Sequence, residues 1–328
     1  MLILAGDVGG TKTSLAIMSS ERGLRAPLAT RTVLSADHPD LESVAEAFLA
    51  DTGYRVSVAS IGVAGPVVDG VTTATNLPWQ VSIEGFRQRL GLDLFYLLND
   101  LEAIAYAIPE LQPDELYTLN EGFPVEHGTI ATLAPGTGLG EGYLTWTGSG
   151  YKALPSEGGH ADFAPHGALQ QRLLAHMAER VGHVSWERVC SGLGMANLYA
   201  FVRDQGLAPE PQWLAAEIAA AVDPTPVIVS HAMADDEGCT LCGLALDLFL
   251  AILGAEAGNM YLRLLSPGGV YLAGGIPPRI VSALERPVFM EAFAAKGRLS
   301  HVVQRAPLHV VLAQDVGLLG AAAYGFSH

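Results

Sequence analysis

The chain has 328 residues, of which half are hydrophobic and 16% are charged, and its formal net charge is −16. This length favours two domains over one, and the apolar composition favours packed domains over an extended disordered tail. The acidic balance argues against nucleic-acid binding, because nothing supplies the basic surface that phosphate backbones require.

Three features bear on localisation. The N-terminal apolar run stops at Asp7 and lacks a basic region, so no secretion signal is expected. The most membrane-like stretch, GLALDLFLAILGAEAGNMYLRLL, carries Asp247 and Arg263, which predicts a buried helix rather than a membrane span. Cys239 and Cys242 have zinc-like spacing without a second pair nearby, so we interpret them as ordinary thiols at a helix start. We expect a cytoplasmic protein.

The first predicted element is a β-hairpin with a glycine tip, in LILAGDVGGTKTSLAIM. It is not a Walker A loop, because Thr11 separates Gly10 from Lys12 and a strand rather than a helix follows. Gly9 and Gly10 can take positive φ and let the backbone approach a phosphate, but a plain tight turn explains them equally well. Asp7 could hold Mg²⁺ through water or simply favour the turn.

Strands and helices then alternate, which predicts an α/β domain with a mixed sheet. A helix is expected in PDLESVAEAFLADTG, a buried strand in VSVASIGVAGPV, and a strand in LFYLLND that passes directly into a helix. Asn99 and Asp100 therefore lie at the carboxyl end of a strand, where ligands gather in such sheets. Asp100 could be the N-cap of the following helix, or a general base with Asn99 binding the same substrate.

A second glycine hairpin follows about 130 residues later, in GTIATLAPGTGLGEGYLTWT, and suggests two related halves. Its tip, Gly136–Gly140 with Thr137, could offer backbone and hydroxyl donors to a phosphate chain. The remainder reads as mostly helical, with buried strands at GGVYLAGGIPP and LHVVLAQ. The closing VGLLGAAAYGF predicts a small-residue helix that packs closely against something.

Further polar groups follow this hairpin. Glu157 and His160 flank a Gly-Gly turn, where the histidine could be a zinc ligand, a base or an ordinary loop donor. Glu187 could interact with a helix dipole behind Ser185 as N-cap. Together with Asn99 and Asp100 these groups suit neighbouring hydroxyls better than anionic substrates, because the set contains no Arg or Lys. Neither a nucleophile elbow nor a GxGxxG fingerprint is present.

An ordered series of motifs carries a resemblance to a known family. GDVGGTKTSLAI resembles the phosphate-1 motif, TNLPW a turn of the sugar lobe, and NDLEAIAYAIP the catalytic segment of bacterial glucokinases of the hexokinase type. PGTGLG resembles phosphate-2, LPSEGGHADFAP and HVSWERVCSGLGMANLY the sugar-contacting motifs, and VYLAGGIPPR the adenosine motif. This family is part of the superfamily of actin, heat-shock ATPases and sugar kinases.

The resemblance implies an α/β, two-lobed, RNase H-like (actin-type ATPase) fold around an interlobe cleft. A small α/β domain would comprise residues 1–110 and 314–328, and a larger α+β domain residues 111–313. The reaction implied is phosphorylation of D-glucose at its 6-hydroxyl by ATP with Mg²⁺. Asp100 would be the general base, and the other sugar-binding residues would be Asn99, Glu157, His160 and Glu187. Asp7 would serve Mg²⁺, and the nucleotide residues would be Gly9, Gly10, Thr11, Gly136, Thr137, Gly138, Gly274 and Gly275.

Other functions stay open. A kinase for mannose or glucosamine would use the same chemistry, and a donor such as ADP or polyphosphate is compatible with the Gly275 region. A sugar-sensing transcriptional regulator would need a helix-turn-helix before the first strand, which we expect to begin at Leu2. The resemblance also implies a homodimer, and the absence of the zinc-binding pattern of the repressor/kinase (ROK) family argues against a structural zinc.

Overall fold

The computed structural model describes residues 1–154, 156–234 and 239–328, and these fall into two compact units. The first unit contains Met1–Glu115, the described part of Thr147–Pro155, and Ala313–His328; the second contains Leu116–Trp146 and Ser156–Leu312. The sequence-based division instead places its boundaries after residues 110 and 313 and assigns 147–155 to the larger domain. Within the first unit, the backbone N–H of Ala153 donates to Tyr106 Oη at 3.1 Å. The sequence gives no sign that the segment from Thr147 belongs to the first unit rather than the second.

The secondary structure alternates between strands and helices along the first unit and becomes mostly helical in the second. The strands are β1 (Leu2–Val8), β2 (Lys12–Ser19), β3 (Ala29–Leu34), β4 (Val58–Val63), β5 (Val71–Thr73), β6 (Gln80–Ser82), β7 (Leu94–Asn99), β8 (Leu116–Asn120), β9 (Ile130–Pro135), β10 (Leu139–Trp146), β11 (Tyr151–Leu154), β12 (Gly269–Leu272) and β13 (Leu308–Val311). The helices are α1 (Leu41–Thr52), α2 (Ile83–Leu90), α3 (Asp100–Ala107), α4 (Gly167–Val181), α5 (Gly192–Asp204), α6 (Gln212–Ala220), α7 (Thr225–Met233), α8 (Thr240–Leu264), α9 (Val281–Leu284), α10 (Pro287–Ala294), α11 (Ser300–Val303) and α12 (Val316–Ser327).

The first unit is built on a mixed sheet with the strand order β3-β2-β1-β4-β7. β1 and β2 form the predicted antiparallel hairpin, and β4 and β7 continue the sheet in parallel with β1. Helices cover both faces: α1 and α2 pack on one face through Phe48 and Phe86, and α12 packs on the other through Ala322. Because helices cover both faces of the sheet, every residue of the central strand β4 is buried.

The C-terminal helix α12 packs closely against α3 and β1, as the small-residue pattern predicts. At Gly320 an added Cβ would overlap the carbonyl oxygen of Ala103 on α3. At Gly325 it would lie 2.9 Å from Cβ of Ser60 and 3.0 Å from Cδ1 of Ile3. Glycine therefore allows α12 to contact the backbone of α3 at Gly320 and side chains of the sheet at Gly325, where a larger residue would not fit.

The second unit repeats the same motif. Its strands run in the order β10-β9-β12-β13-β8, with β9 and β10 antiparallel and β12 and β13 parallel to β9. A glycine-tipped hairpin followed by two parallel strands thus occurs in each unit, as the weak sequence repeat indicates.

The apolar stretch that resembles a membrane segment forms α8, a 25-residue helix in the core of the second unit. It is long and apolar enough to cross a membrane by length and composition alone, but most of its side chains are buried against α5, α7 and α10. Cys239 directly precedes it, and Cys239 and Cys242 are buried free thiols.

Candidate active site

The tip of the first hairpin is held by its neighbours. The backbone N–H of Gly9 donates to the carbonyl of Lys12 at 2.9 Å, and Ser35 Oγ donates to the carbonyl of Gly9 at 3.0 Å. Neither Gly9 nor Gly10 has a positive φ, so the prediction that these glycines provide a left-handed backbone conformation is wrong. Gly10 is instead required by space, because a Cβ there would lie 3.0 Å from the carbonyl oxygen of Thr75.

Asp7 and Asp100 lie at the same edge of the first sheet. Asp7 is in register with Gly62 on β4, and Val63 is in register with Asn99 on β7. Asp7 therefore lies near the carboxyl end of β1, and Asp100 directly follows the carboxyl end of the parallel strand β7. Gly62 sets this arrangement, because a Cβ there would lie 2.8 Å from Cβ of Ala103. The absence of a side chain lets α3 begin directly beside β4.

The N-cap of α3 is Asn99 rather than Asp100. Its Oδ1 accepts the backbone N–H of Leu101 at 2.9 Å, and its Nδ2 donates to the carbonyl of Gly65 at 2.9 Å. Asp100 is the first helical residue, and its Oδ1 also lies 2.9 Å from the backbone nitrogen of Leu101. The predicted alternative in which Asp100 is the N-cap is therefore wrong, because Asn99 has that role.

Asp7 is surrounded by negative charge. Burial, and after it the carboxylates of Asp100 and Asp315, raises its pKa to about 6. The N-terminal end of α12 approaches it closely, since a Cβ at Gly317 would lie 2.8 Å from Asp7 Cγ. Asp7 has no ion-pair partner among the described residues, so a cation near it would relieve an uncompensated charge.

Asp315 is a third carboxylate that the sequence analysis missed. It precedes α12 with φ of +54°, a left-handed conformation that an aspartate tolerates better than most side chains. No group of three or more metal-ligating side chains is close enough to enclose a cation among the described residues. Asp7 therefore fits Mg²⁺ only as a single carboxylate anchor for an ion that keeps its water and phosphate ligands.

The tip of the second hairpin contacts Glu187 within the second unit. The carboxylate of Glu187 accepts the backbone N–H of Leu139 at 3.0 Å, and a Cβ at Gly138 would overlap the same carboxylate oxygen. Ser185 forms a bridge to Asp162 and does not cap a helix; Ser191 is the N-cap of α5. The interpretation of Glu187 as a helix-dipole residue is therefore wrong.

The turn at Gly158 and Gly159 places Glu157 and His160 beside β10, the strand that Glu187 also contacts. The carbonyl of Gly159 accepts the backbone N–H of Glu187 at 2.8 Å, and a Cβ at Gly159 would overlap the carbonyl oxygen of Leu139. Glu157 Oε2 lies 3.9 Å from His160 Nε2, and both side chains are exposed. Glu157, His160 and Glu187 thus gather around the start of β10 with their polar groups available to a ligand.

A cavity of about 790 Å³ adjoins the second hairpin. Gly275 lines it, and Gly274, directly beside it, has φ of +80°. The sequence analysis missed most of the other lining residues, which come from α5, from α7 and the segment before it, and from the turn after Gly275, and are largely apolar. They include Leu193, Ala196, Val222, Pro224, Thr225, Pro226, Val229, Ile276 and Ile280, with Gly136 and Thr137 of the hairpin. An apolar cavity beside a glycine hairpin suits a planar base attached to a phosphate chain.

The predicted site residues thus form one set in each unit. The first unit contains Asp7, Gly9, Gly10, Thr11, Asn99 and Asp100, and the second contains Gly136, Thr137, Gly138, Glu157, His160, Glu187, Gly274 and Gly275.

Each unit joins a glycine-tipped hairpin to parallel strands, as in the actin-like ATPase fold, and solved sugar kinases share this architecture. A glucokinase from an Antarctic psychrotroph superposes with a TM-score of 0.86 at 30% identity, over 100% of this chain and 99% of that one. A ROK family glucokinase from Streptomyces griseus, solved with glucose and AMPPNP, shares the fold with a TM-score of 0.65 at 20% identity, over 100% of each chain.

Sequence comparisons define the family. The glucokinase family model matches residues 4–328. The chain is 37% identical to a glucokinase of Nostoc punctiforme over 98% of both chains. It is 36% identical to a glucokinase of Cronobacter sakazakii over 98% of this chain and 96% of that one. The chain belongs to the glucokinase family and is an ATP-dependent hexose kinase.

Proposed function

We propose that this enzyme transfers the γ-phosphoryl group of ATP to the 6-hydroxyl of D-glucose, with Asp100 as the general base. The carrying observation is the position of Asp100 at the carboxyl end of β7, with the capping role taken by Asn99. Relatives 36–38% identical over nearly the whole chain are glucokinases, which supports glucose as the acceptor.

The chemistry requires positioning and charge neutralisation more than covalent catalysis. The 6-oxygen of glucose forms a bond to the γ-phosphorus as the bond to the β-γ bridging oxygen breaks, and Asp100 accepts the hydroxyl proton. The products are glucose 6-phosphate, ADP and a proton, which leaves Asp100 with the solvent. Asn99, Glu157, His160 and Glu187 would hold the other hydroxyls through bidentate acceptors and donors.

The nucleotide would be held mainly by backbone groups. Gly9, Gly10, Thr11, Gly136, Thr137 and Gly138 would contact the phosphates, and Gly274 and Gly275 the adenosine end. The cavity beside Thr137 and Gly275 supports this assignment, because it is apolar enough for adenine and adjoins the hairpin. Such main-chain binding suits a chain whose charge of −16 repels free nucleotides.

Asp7 would anchor Mg²⁺ through water, and the bound ion would neutralise charge on the phosphates. Asp7→Asn should therefore raise the Mg²⁺ concentration needed for half-maximal activity by about tenfold or more, while the KM for glucose changes little. Titrating Mg²⁺ at saturating glucose measures this. The matched control is Asp37→Asn, since Asp37 is exposed and lies on a separate turn. An unchanged Mg²⁺ requirement in Asp7→Asn would contradict the assignment.

The acceptor and donor are tested by one panel. Purified enzyme is assayed with glucose, mannose and glucosamine against ATP, ADP and polyphosphate, with ADP or AMP release and sugar phosphate both measured. We expect the highest kcat/KM for glucose with ATP. A higher value for another hexose, or for another donor, would replace the corresponding part of the proposal.

We also propose that the enzyme acts in the cytoplasm as a homodimer. The three cysteines, all of them free thiols, support a reducing compartment. Light scattering of the purified chain at micromolar concentration would test the dimer.

A further inference from the structure

Two carboxyl groups in the interior of the second unit have no part in the proposed chemistry. Glu141 on β10 is 1% exposed and Glu256 on α8 is 0% exposed. Arg263 lies beside both, with Nη1 2.6 Å from Glu256 Oε1 and 3.4 Å from Glu141 Oε2. Buried carboxyl groups are costly, so their presence directly behind a candidate site calls for an explanation.

Glu141 lies directly beneath the Gly-Gly turn. A Cβ at Gly158 would overlap Glu141 Oε2 and would lie 3.1 Å from its Cδ. Two residues earlier on β10, Leu139 contacts Gly159 through its carbonyl and Glu187 through its N–H. The turn that carries Glu157 and His160 therefore packs directly on the first residues of β10.

The two carboxyl groups are held differently. Glu256 Oε2 accepts a hydrogen bond from Asn259 Nδ2 at 2.8 Å, and Lys296 Nζ donates to Asn259 Oδ1 at 2.7 Å. Glu256 is thus fixed within the helical core. Glu141 Oε1, by contrast, accepts no hydrogen bond from any residue that the structure describes. A buried oxygen without a hydrogen-bond partner costs free energy, which indicates that this side chain is retained because of its position.

The protonation of Glu141 suggests how it fills this position. Burial, and after it the Glu256 carboxylate, raises its pKa to about 8 against the opposing charge of Arg263. At neutral pH the neutral carboxyl group is therefore favoured, and it supports Gly158 by its shape and close contact rather than by charge. Glutamine has nearly the same size and is also neutral.

We propose that Glu141 is a positioning residue that fixes the turn at Gly158 and thereby holds Glu157 and His160 for the sugar hydroxyls. This inference rests on the proposed function, in which those two side chains bind glucose. Since Glu141 touches neither substrate nor the reacting atoms, its loss should weaken glucose binding more than it slows turnover at saturating glucose.

The first test compares truncations of the two buried carboxyl groups. Glu141→Ala should raise the KM for glucose by about tenfold, with kcat and the KM for ATP within about threefold of wild type. Glu256→Ala removes the same group from the same cluster but does not reach the turn, so its glucose KM should stay within about threefold. Glu141→Gln should restore the wild-type value. An unchanged KM in Glu141→Ala, equal increases in both truncations, or no recovery in Glu141→Gln would overturn the proposal.

The second test is a double-mutant cycle across the contact. Gly158→Ala should raise the glucose KM by about tenfold in wild type, because the new methyl group displaces the turn from Glu141. In the Glu141→Ala background the space is open, and the same change should add less than about threefold. Full additivity would overturn the proposal. If Glu141→Ala does not fold, Glu141→Ser supplies the truncated background.

Failure of this inference is distinguishable from failure of the proposed sugar site. Glu157→Gln tests that site directly and should raise the glucose KM whether or not Glu141 supports the turn. A raised KM in Glu157→Gln with no effect of Glu141→Ala would overturn the positioning role alone. No effect of either change would overturn both.

Discussion

Replacing Asp100 by asparagine should lower kcat by about 10²- to 10⁴-fold, because the amide cannot accept the proton of the 6-hydroxyl. The KM for glucose should change much less, since asparagine keeps the size and most of the hydrogen bonding of the side chain. The loss should appear equally in kcat and kcat/KM, as expected when an interaction is made mainly in the transition state. Steady-state assays over a range of glucose and ATP concentrations measure all three quantities.

The same variant should remain folded. Asn99 keeps its capping hydrogen bond to Leu101, and removal of the Asp100 charge relieves repulsion with Asp7. The matched control is Asp93→Asn, because Asp93 precedes the same strand and its side chain is exposed; its kcat should equal that of wild type. If Asp100→Asn kept more than about a tenth of wild-type kcat, Asp100 would not be the base.

Replacing Gly320 by alanine should destabilise the first unit by about 3 kcal/mol, near the upper end for overpacking. The added methyl group would overlap the carbonyl oxygen of Ala103 and lie 2.8 Å from the backbone nitrogen of Ala107. Both contacts are to backbone on α3, so no side chain can rotate away to make room. Because α3 begins at Asp100, its displacement should also lower kcat.

Thermal unfolding followed by circular dichroism or calorimetry measures this effect, and a fall in Tm of about 6–12 °C is expected. The matched control is Gly243→Ala on α8, where a Cβ meets nothing within 4 Å. That change should leave Tm unchanged or raise it, since alanine favours a helix by up to about 1 kcal/mol over glycine. Equal Tm values for the two variants would show that α12 and α3 can separate without cost.

Much of the site was predictable because local patterns determine it. Apolar runs on either side of Gly9 and Gly10, and again around Gly136–Gly140, indicate hairpins without reference to the rest of the chain. The step from a buried strand into a helix at Asn99 and Asp100 is likewise local, although the sequence could not decide which of the two residues is the N-cap.

The missed features depend on contacts between distant segments. Gly62 matters only because α3 lies over it, and Asp315 matters only because its chain segment returns to Asp7 more than 300 residues later. Serine is a residue type that favours the N-cap position, but the backbone of Ser185 pairs with Asp162 instead. Glu141 reads as one polar residue within a strand, and its position beneath Gly158 follows from tertiary packing. Periodicity and spacing contain none of this information.

The place of α12 in the first unit has a consequence for synthesis on the ribosome. Ala321 and Ala322 complete apolar clusters with residues of β1 and α3, which are translated some 200 residues or more earlier. The second unit can fold before α12 is synthesised, whereas the rest of the first unit exposes an unfilled groove until α12 is available. Chaperone protection is therefore expected to matter most for that groove during elongation.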